Sequence, residues 1–140
     1  MFGNRKKAVD GVAKLSGVPF FDGFSPEELQ RVAQLADDVE AEPGAVLVEQ
    51  GRVGQECYVI LDGQASVYVG EEHITTSGPG AMVGEMALLE HKPRNATVVA
   101  DTPMKLIVLD THAFKQLLEE MPKVNDRVME TLAARLNPSS

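Results

Sequence analysis

The chain of 140 residues has one cysteine and no tryptophan. A lone Cys57 excludes an intramolecular disulfide and gives no footing to a thiolate metal site. It reads as a small buried apolar residue. No run approaches the ~18 consecutive apolar residues of a membrane span. The basic start, Met1-Phe2-Gly3-Asn4-Arg5-Lys6-Lys7, has no apolar stretch behind it and does not read as a signal peptide. Histidine is sparse: His73, His91 and His112 stand apart with no His-x-His pair, which argues against a metal enzyme on a β scaffold. Basic charge is also scarce. Thirteen Lys and Arg face 21 Asp and Glu, for a net charge of −8. Residues 1–14 carry four basic residues against one acidic, a local +3, and leave nine against twenty, or −11, for the rest. Such a body repels a phosphate backbone, so nucleic acid is not the expected partner. The soluble, one-cysteine composition points to a cytoplasmic protein.

What is present is ordinary for one globular domain: 44% apolar and 24% charged residues in a length typical of a single domain. Residues 1–18 read as a leader with the pattern of a short helix (Val9, Val12, Ala13 and Leu15) or simply as a solvated terminus, and 19–140 as the domain. Val18-Pro19-Phe20-Phe21 is an extended apolar hook, because a residue before proline avoids the helical region. Ser25, Pro26 and Glu28 make a helix start with a capping box, followed by Leu29, Val32, Ala33 and Ala36 on one face.

From Val39 the period shortens. Apolar runs alternate with Pro43-Gly44, Gly51, Gly54, Asp62-Gly63, Gly70, Gly78-Pro79-Gly80 and Gly84. Strands are expected at 57–61, 64–69, 72–76, 97–100 and 105–109. Asp62-Gly63 between two β-rich runs predicts a hairpin with a type I′ turn. Short strands at this spacing predict an antiparallel sandwich or barrel. Two helices close the chain. Asp110 or Thr111 caps the first, with Phe114, Leu117, Leu118 and Met121 inward, and Pro122 ends it. The second carries Val124, Val128, Leu132 and Leu136, and stops at Asn137-Pro138.

One segment breaks the β pattern. Glu85 to Glu90, including Met86, Leu88 and Leu89, favours a short helix whose first N–H groups lack intrahelical partners and can hold an anion. Gly84 lets a ligand approach the backbone. Pro93 stops helical continuation. Arg94 offers a planar fork for two phosphate oxygens, and Glu85 an acceptor for a sugar hydroxyl. Small Ala87 and Ala96 leave room. Together they describe a pocket for a phosphorylated, hydroxyl-bearing small molecule.

This stretch, Gly84-Glu85-Met86-Ala87-Leu88-Leu89 then Pro93-Arg94-Asn95-Ala96-Thr97-Val98, resembles the phosphate-binding cassette of the cyclic nucleotide-binding domain family, of the catabolite activator and protein kinase A regulatory subunit type. The resemblance runs over roughly residues 18–137. It implies a mainly β fold with flanking helices: an eight-stranded antiparallel jelly roll with an N-terminal helix and two C-terminal helices. It implies binding of cyclic AMP or cyclic GMP without chemistry on them, and no other cofactor. By position, Arg94 pairs with the cyclic phosphate, Gly84 and Glu85 hold the ribose 2′-hydroxyl, and the N–H groups of Ala87 and Ala96 complete the cradle, with Met86 inside the cassette.

Asn95 departs from the small or hydroxyl residue usual after the arginine. An amide both donates and accepts, so it serves either purine or faces solvent. Cyclic AMP is the favoured ligand. His91 and Lys92 stand where small residues are usual. On the last helix Arg127 and Arg135 are the cationic candidates for a lid, or simply lie on a solvated face. No DNA-binding or other effector is recognisable, so the chain reads as a stand-alone sensor domain, or as a piece of something larger, that passes occupancy to an unknown effector protein through its C-terminal helices. The competing reading is a jelly-roll interaction module that has lost its ligand.

Overall fold

The computed structural model describes residues 6–7, 15–52, 56–84 and 93–136. Its strands are β1 (Lys6–Lys7), β2 (Asp37–Ala41), β3 (Val46–Val48), β4 (Glu56–Asp62), β5 (Ala65–Val69), β6 (Glu72–Ser77), β7 (Met82–Val83), β8 (Thr97–Ala100) and β9 (Met104–Asp110). A 3-10 turn (Pro19–Phe21) and helix α1 (Pro26–Leu35) precede β2, while α2 (Thr111–Glu120) and α3 (Pro122–Leu136) follow β9. The strands form two antiparallel sheets, ordered β1-β2-β9-β4-β7 and β3-β8-β5-β6. The eight strands β2 to β9 are the expected jelly roll.

Two apolar layers explain why β4 and β9 read as unbroken apolar runs. Alternate residues of each strand point to opposite faces. Tyr58, Ile60, Leu106 and Val108 join Val98 and Ala65 in the layer between the sheets. Cys57, Val59, Ile107 and Leu109 point the other way, under Phe114 and Leu117 of α2. Both faces are buried, so the alternation of a half-exposed strand is lost. The Cys57 thiol is free and buried. By contrast β6 is an exposed edge strand, and its sequence is polar.

The helix signals are realised as read. The Ser25 side chain accepts from the Glu28 N–H, and the Glu28 carboxylate accepts from the Ser25 N–H, closing the capping box. Asp110, rather than Thr111, caps α2 through the Ala113 N–H. Met121 caps the end of α2, and Pro122 opens α3.

Three details differ from the sequence reading. Asp62-Gly63 does not close a hairpin: β4 pairs with β9 and β7, and β5 with β6 and β8, so this turn carries the chain from one sheet to the other. Gly63 has φ +93°, and a Cβ there would lie 2.4 Å from the Pro103 carbonyl. The glycine therefore answers to that close approach and not to a two-residue hairpin. The hairpin is β5–β6, with Val69 opposite Glu72 across Gly70-Glu71.

In the leader, Lys6–Lys7 is an edge strand whose backbone pairs antiparallel with Asp38 and Asp37 of β2. Leu15 is completely buried with the helices, and Val18 joins it. Val9, Val12 and Ala13 lie outside the described residues.

Arg127 does not simply lie on a solvated face. Its guanidinium donates to the carbonyls of Pro19 and Asp22, binding α3 to the 3-10 turn. Lys123 does the same for α1, donating to Gly23 O at 3.0 Å and Glu28 Oε1 at 2.8 Å, with the Phe24 ring 5.9 Å away.

Candidate functional site

The site is built where the chain leaves β7 and returns to β8. The entry to β7 is pinned to β4: the Gly80 N–H donates to Ile60 O, and the Ile60 N–H to Ala81 O. After Val83, Gly84 adopts φ +88°, a left-handed conformation natural to glycine. On the return, Arg94 is locked by its backbone to the turn before β4. Its N–H donates to Arg52 O at 2.7 Å, and its carbonyl accepts from the Gly51 N–H at 2.9 Å.

The Arg94 side chain turns inward and is 8% exposed; with Ser66 it makes up the buried polar residues among those described. A buried cation needs strong partners. Arg94 Nη1 donates to the Gly84 carbonyl and Nη2 to the Glu56 carbonyl. These two bonds fix the plane and direction of the guanidinium. A rigid fork held in this way suits bidentate recognition of a phosphate.

The structure gives Gly84 a second duty. A Cβ there would lie 2.7 Å from Arg94 Nη1 and 3.2 Å from the Glu56 carbonyl. Sequence reading reserved that space for a ligand; in the structure the guanidinium lies against it.

Of the sequence-selected residues, Gly84 and Arg94 meet directly. Asn95 is exposed, and Ala96 is half-buried at the entry to β8. Glu85, Met86 and Ala87 lie outside the described residues, as do His91 and Lys92. Sequence reading missed Glu56 and Tyr58. Tyr58 is 5% exposed, and its hydroxyl donates to Glu56 Oε1 at 3.1 Å. The available signal was their spacing: residues i and i+2 of a strand share a face.

Beside the site, the Pro19 ring abuts the approach to β7, since a Cβ on Gly80 would lie 3.1 Å from Pro19 Cδ. The 3-10 turn thus touches the cassette's approach on one side and Arg127 of α3 on the other. A bidentate Arg31–Glu120 pair, at 2.8 Å for both bonds, ties α1 to α2. The Arg31 guanidinium, with help from Gln116, holds the Glu120 carboxyl well below its ordinary value, at about 2. Lys123 and the Ser25 N–H likewise lower Glu28. Among the described residues no group of three or more His, Cys, Asp or Glu is placed to hold a metal, and no helix is long and apolar enough to cross a membrane.

Comparison with known proteins agrees with this architecture. The family model of the cyclic nucleotide-binding domain matches residues 38–121. The cAMP-dependent protein kinase regulatory subunit of Hypocrea atroviridis is 32% identical over 104 residues, covering 74% of this chain and 22% of that protein. The curated relatives are longer, and the chain matches 22% to 38% of their length in the first few. Among solved structures, a protein kinase A regulatory-subunit domain bound to Sp-2Cl-cAMPS superposes with a TM-score of 0.79 at 29% identity, over 94% of this chain and 90% of that one. The regulatory subunit of a cAMP-independent protein kinase A from Trypanosoma brucei gives 0.81 at 28% identity, over 89% and 47%. With its two-sheet roll, its flanking helices and a family match over more than half its length, the chain belongs to the cyclic nucleotide-binding domain family.

Proposed function

We propose that this chain binds a cyclic nucleotide, cyclic AMP in preference to cyclic GMP, and passes occupancy to a partner protein through α2 and α3. The observation that supports the reading is Arg94: a buried guanidinium that donates to the Gly84 and Glu56 carbonyls. Arg94 takes the cyclic phosphate. Gly84 and Glu85 take the ribose 2′-hydroxyl. The N–H groups of Ala87 and Ala96 complete the phosphate cradle beside Met86, and Asn95, exposed in this state, meets the base. The protein binds and does not convert its ligand.

The relay has a physical route. Closure of the cassette on a ligand moves β7 and its approach at Gly80, which abuts Pro19. Pro19 and Asp22 are held by Arg127 of α3. Ligand then shifts an existing equilibrium of these helices, by no more than its difference in affinity for the two states.

Equilibrium dialysis with cyclic AMP, cyclic GMP and 5′-AMP tests the specificity. The reading expects saturable binding in that order. Equal retention of all three, or none, overturns it. Amide exchange along α3 with and without cyclic AMP tests the relay, and an unchanged pattern rejects it.

The second reading, an interaction module that has lost its ligand, draws support from Asn95 and from the likeness to a subunit described as cAMP-independent. Saturable binding abolished by Arg94→Ala rejects it.

A further inference from the structure

We propose that Tyr58 and Glu56 act as one positioning unit for Arg94, so that the affinity of the anion site depends on a buried hydroxyl that never touches the ligand. The inference rests on the binding reading above but adds residues that the cassette motif does not contain.

Glu56 is used at both ends. Its carbonyl accepts from Arg94 Nη2, and its carboxylate accepts from the Tyr58 hydroxyl at 3.1 Å. Backbone pairing fixes the strand beneath them: Glu56 faces Asp110, and Tyr58 lies between Val108 of β9 and Val83 of β7. Tyr58 is packed in the layer between the sheets, so its ring has little freedom and its hydroxyl is a fixed point. Glu56 is the first residue of β4 and pairs with Asp110 of β9. The bond from Tyr58 ties its side chain to a fixed point and so limits rotation of the residue whose carbonyl aims Arg94. Gly84 supplies the other acceptor and leaves no side chain to wedge the fork aside. A pre-aimed guanidinium loses less freedom when the anion arrives.

A charge effect and a positioning effect predict different things. If the Glu56 carboxylate acted by its charge, removing that charge would strengthen binding of an anion. If it acts by accepting the hydroxyl, Glu56→Gln keeps an acceptor and keeps the affinity, whereas Tyr58→Phe and Glu56→Ala both lose it.

The test uses the full chain and two readouts, well below the unfolding midpoint of every variant. The first is calorimetric affinity for cyclic AMP. Tyr58→Phe and Glu56→Ala are each expected to weaken binding, by up to about tenfold, because the guanidinium must then be ordered as the anion binds. The double variant is expected to be no worse than either single, as residues acting as one unit are not additive. Glu56→Gln is expected to stay within about twofold, since its amide oxygen still accepts the hydroxyl. The second readout is NMR of the Arg94 side chain in the ligand-free protein, where guanidinium hydrogens exchange faster in Tyr58→Phe and Glu56→Ala and not in Glu56→Gln. Wild-type affinity and unchanged Arg94 signals in Tyr58→Phe overturn the proposal, as does tighter binding by Glu56→Gln. A wild type that binds no cyclic nucleotide overturns the function instead, and the ligand-free Arg94 signals then still decide the positioning.

Discussion

At the scale of single residues, the site turns on a glycine and an arginine that fit only each other. Gly84→Ala imposes a strained left-handed conformation and drives a methyl against Arg94 Nη1, 2.7 Å from the ideal Cβ. Its expected cost is about 1–3 kcal/mol of unfolding free energy in a denaturant titration, together with loss of cyclic AMP binding. An unchanged midpoint contradicts the packing described. Arg94→Lys keeps the charge but has a single nitrogen in place of the fork, so it cannot hold both carbonyls in the same geometry. Binding at least about tenfold weaker is expected, checked by calorimetry. Gly84 and Arg94 were legible because the residue types and spacing of an anion cradle are written along one short stretch. Tyr58 and Glu56 were not, because a tyrosine in an apolar run reads as core. Its hydroxyl finds Glu56 only once the pleat places the two on one face.

At the scale of elements, capping and termination signals read directly because they are local: Ser25 and Glu28 for α1, Asp110 for α2, and Pro122 where α2 stops and α3 opens. Long-range partners were hidden. Arg127 reaches Pro19 and Asp22 across more than a hundred residues, and no periodicity marks that contact. Asp62-Gly63 misled for the same reason. The turn residue was right, but which sheet each strand joins depends on β8 and β9. Gly63→Ala is expected to destabilise the chain, because its Cβ would lie 2.4 Å from a carbonyl that cannot swing away. A thermal midpoint equal to wild type contradicts this.

The Arg31–Glu120 pair gives the helices a pH signature. Glu120 is held at about 2, below the unfolded value. Its contribution is therefore present above the ordinary carboxylate pKa of about 4.3 and lost as pH falls through the folded value. Glu120→Gln should narrow the drop in thermal midpoint between about pH 4.5 and pH 2, and an unchanged drop places the acid sensitivity elsewhere.

At the scale of the whole molecule, the proposed function asks a chain of net charge −8 to bind an anion. Exposed charges act weakly beyond about 8 Å at physiological ionic strength, while Arg94 acts at contact. Cyclic AMP affinity should therefore rise slightly or stay level as salt is added, and a steep loss contradicts a local site. The eight-stranded roll and its helices were legible as a class from strand spacing and the cassette, yet the division of strands between two sheets was not. The measurement that bears most directly on the central claim is calorimetric titration of cyclic AMP into wild type and into Arg94→Ala, with folding of both confirmed by thermal unfolding. Saturable one-to-one heat from the wild type and none from the folded variant is the predicted result. Equal heats from both proteins, or none from the wild type, would contradict the account.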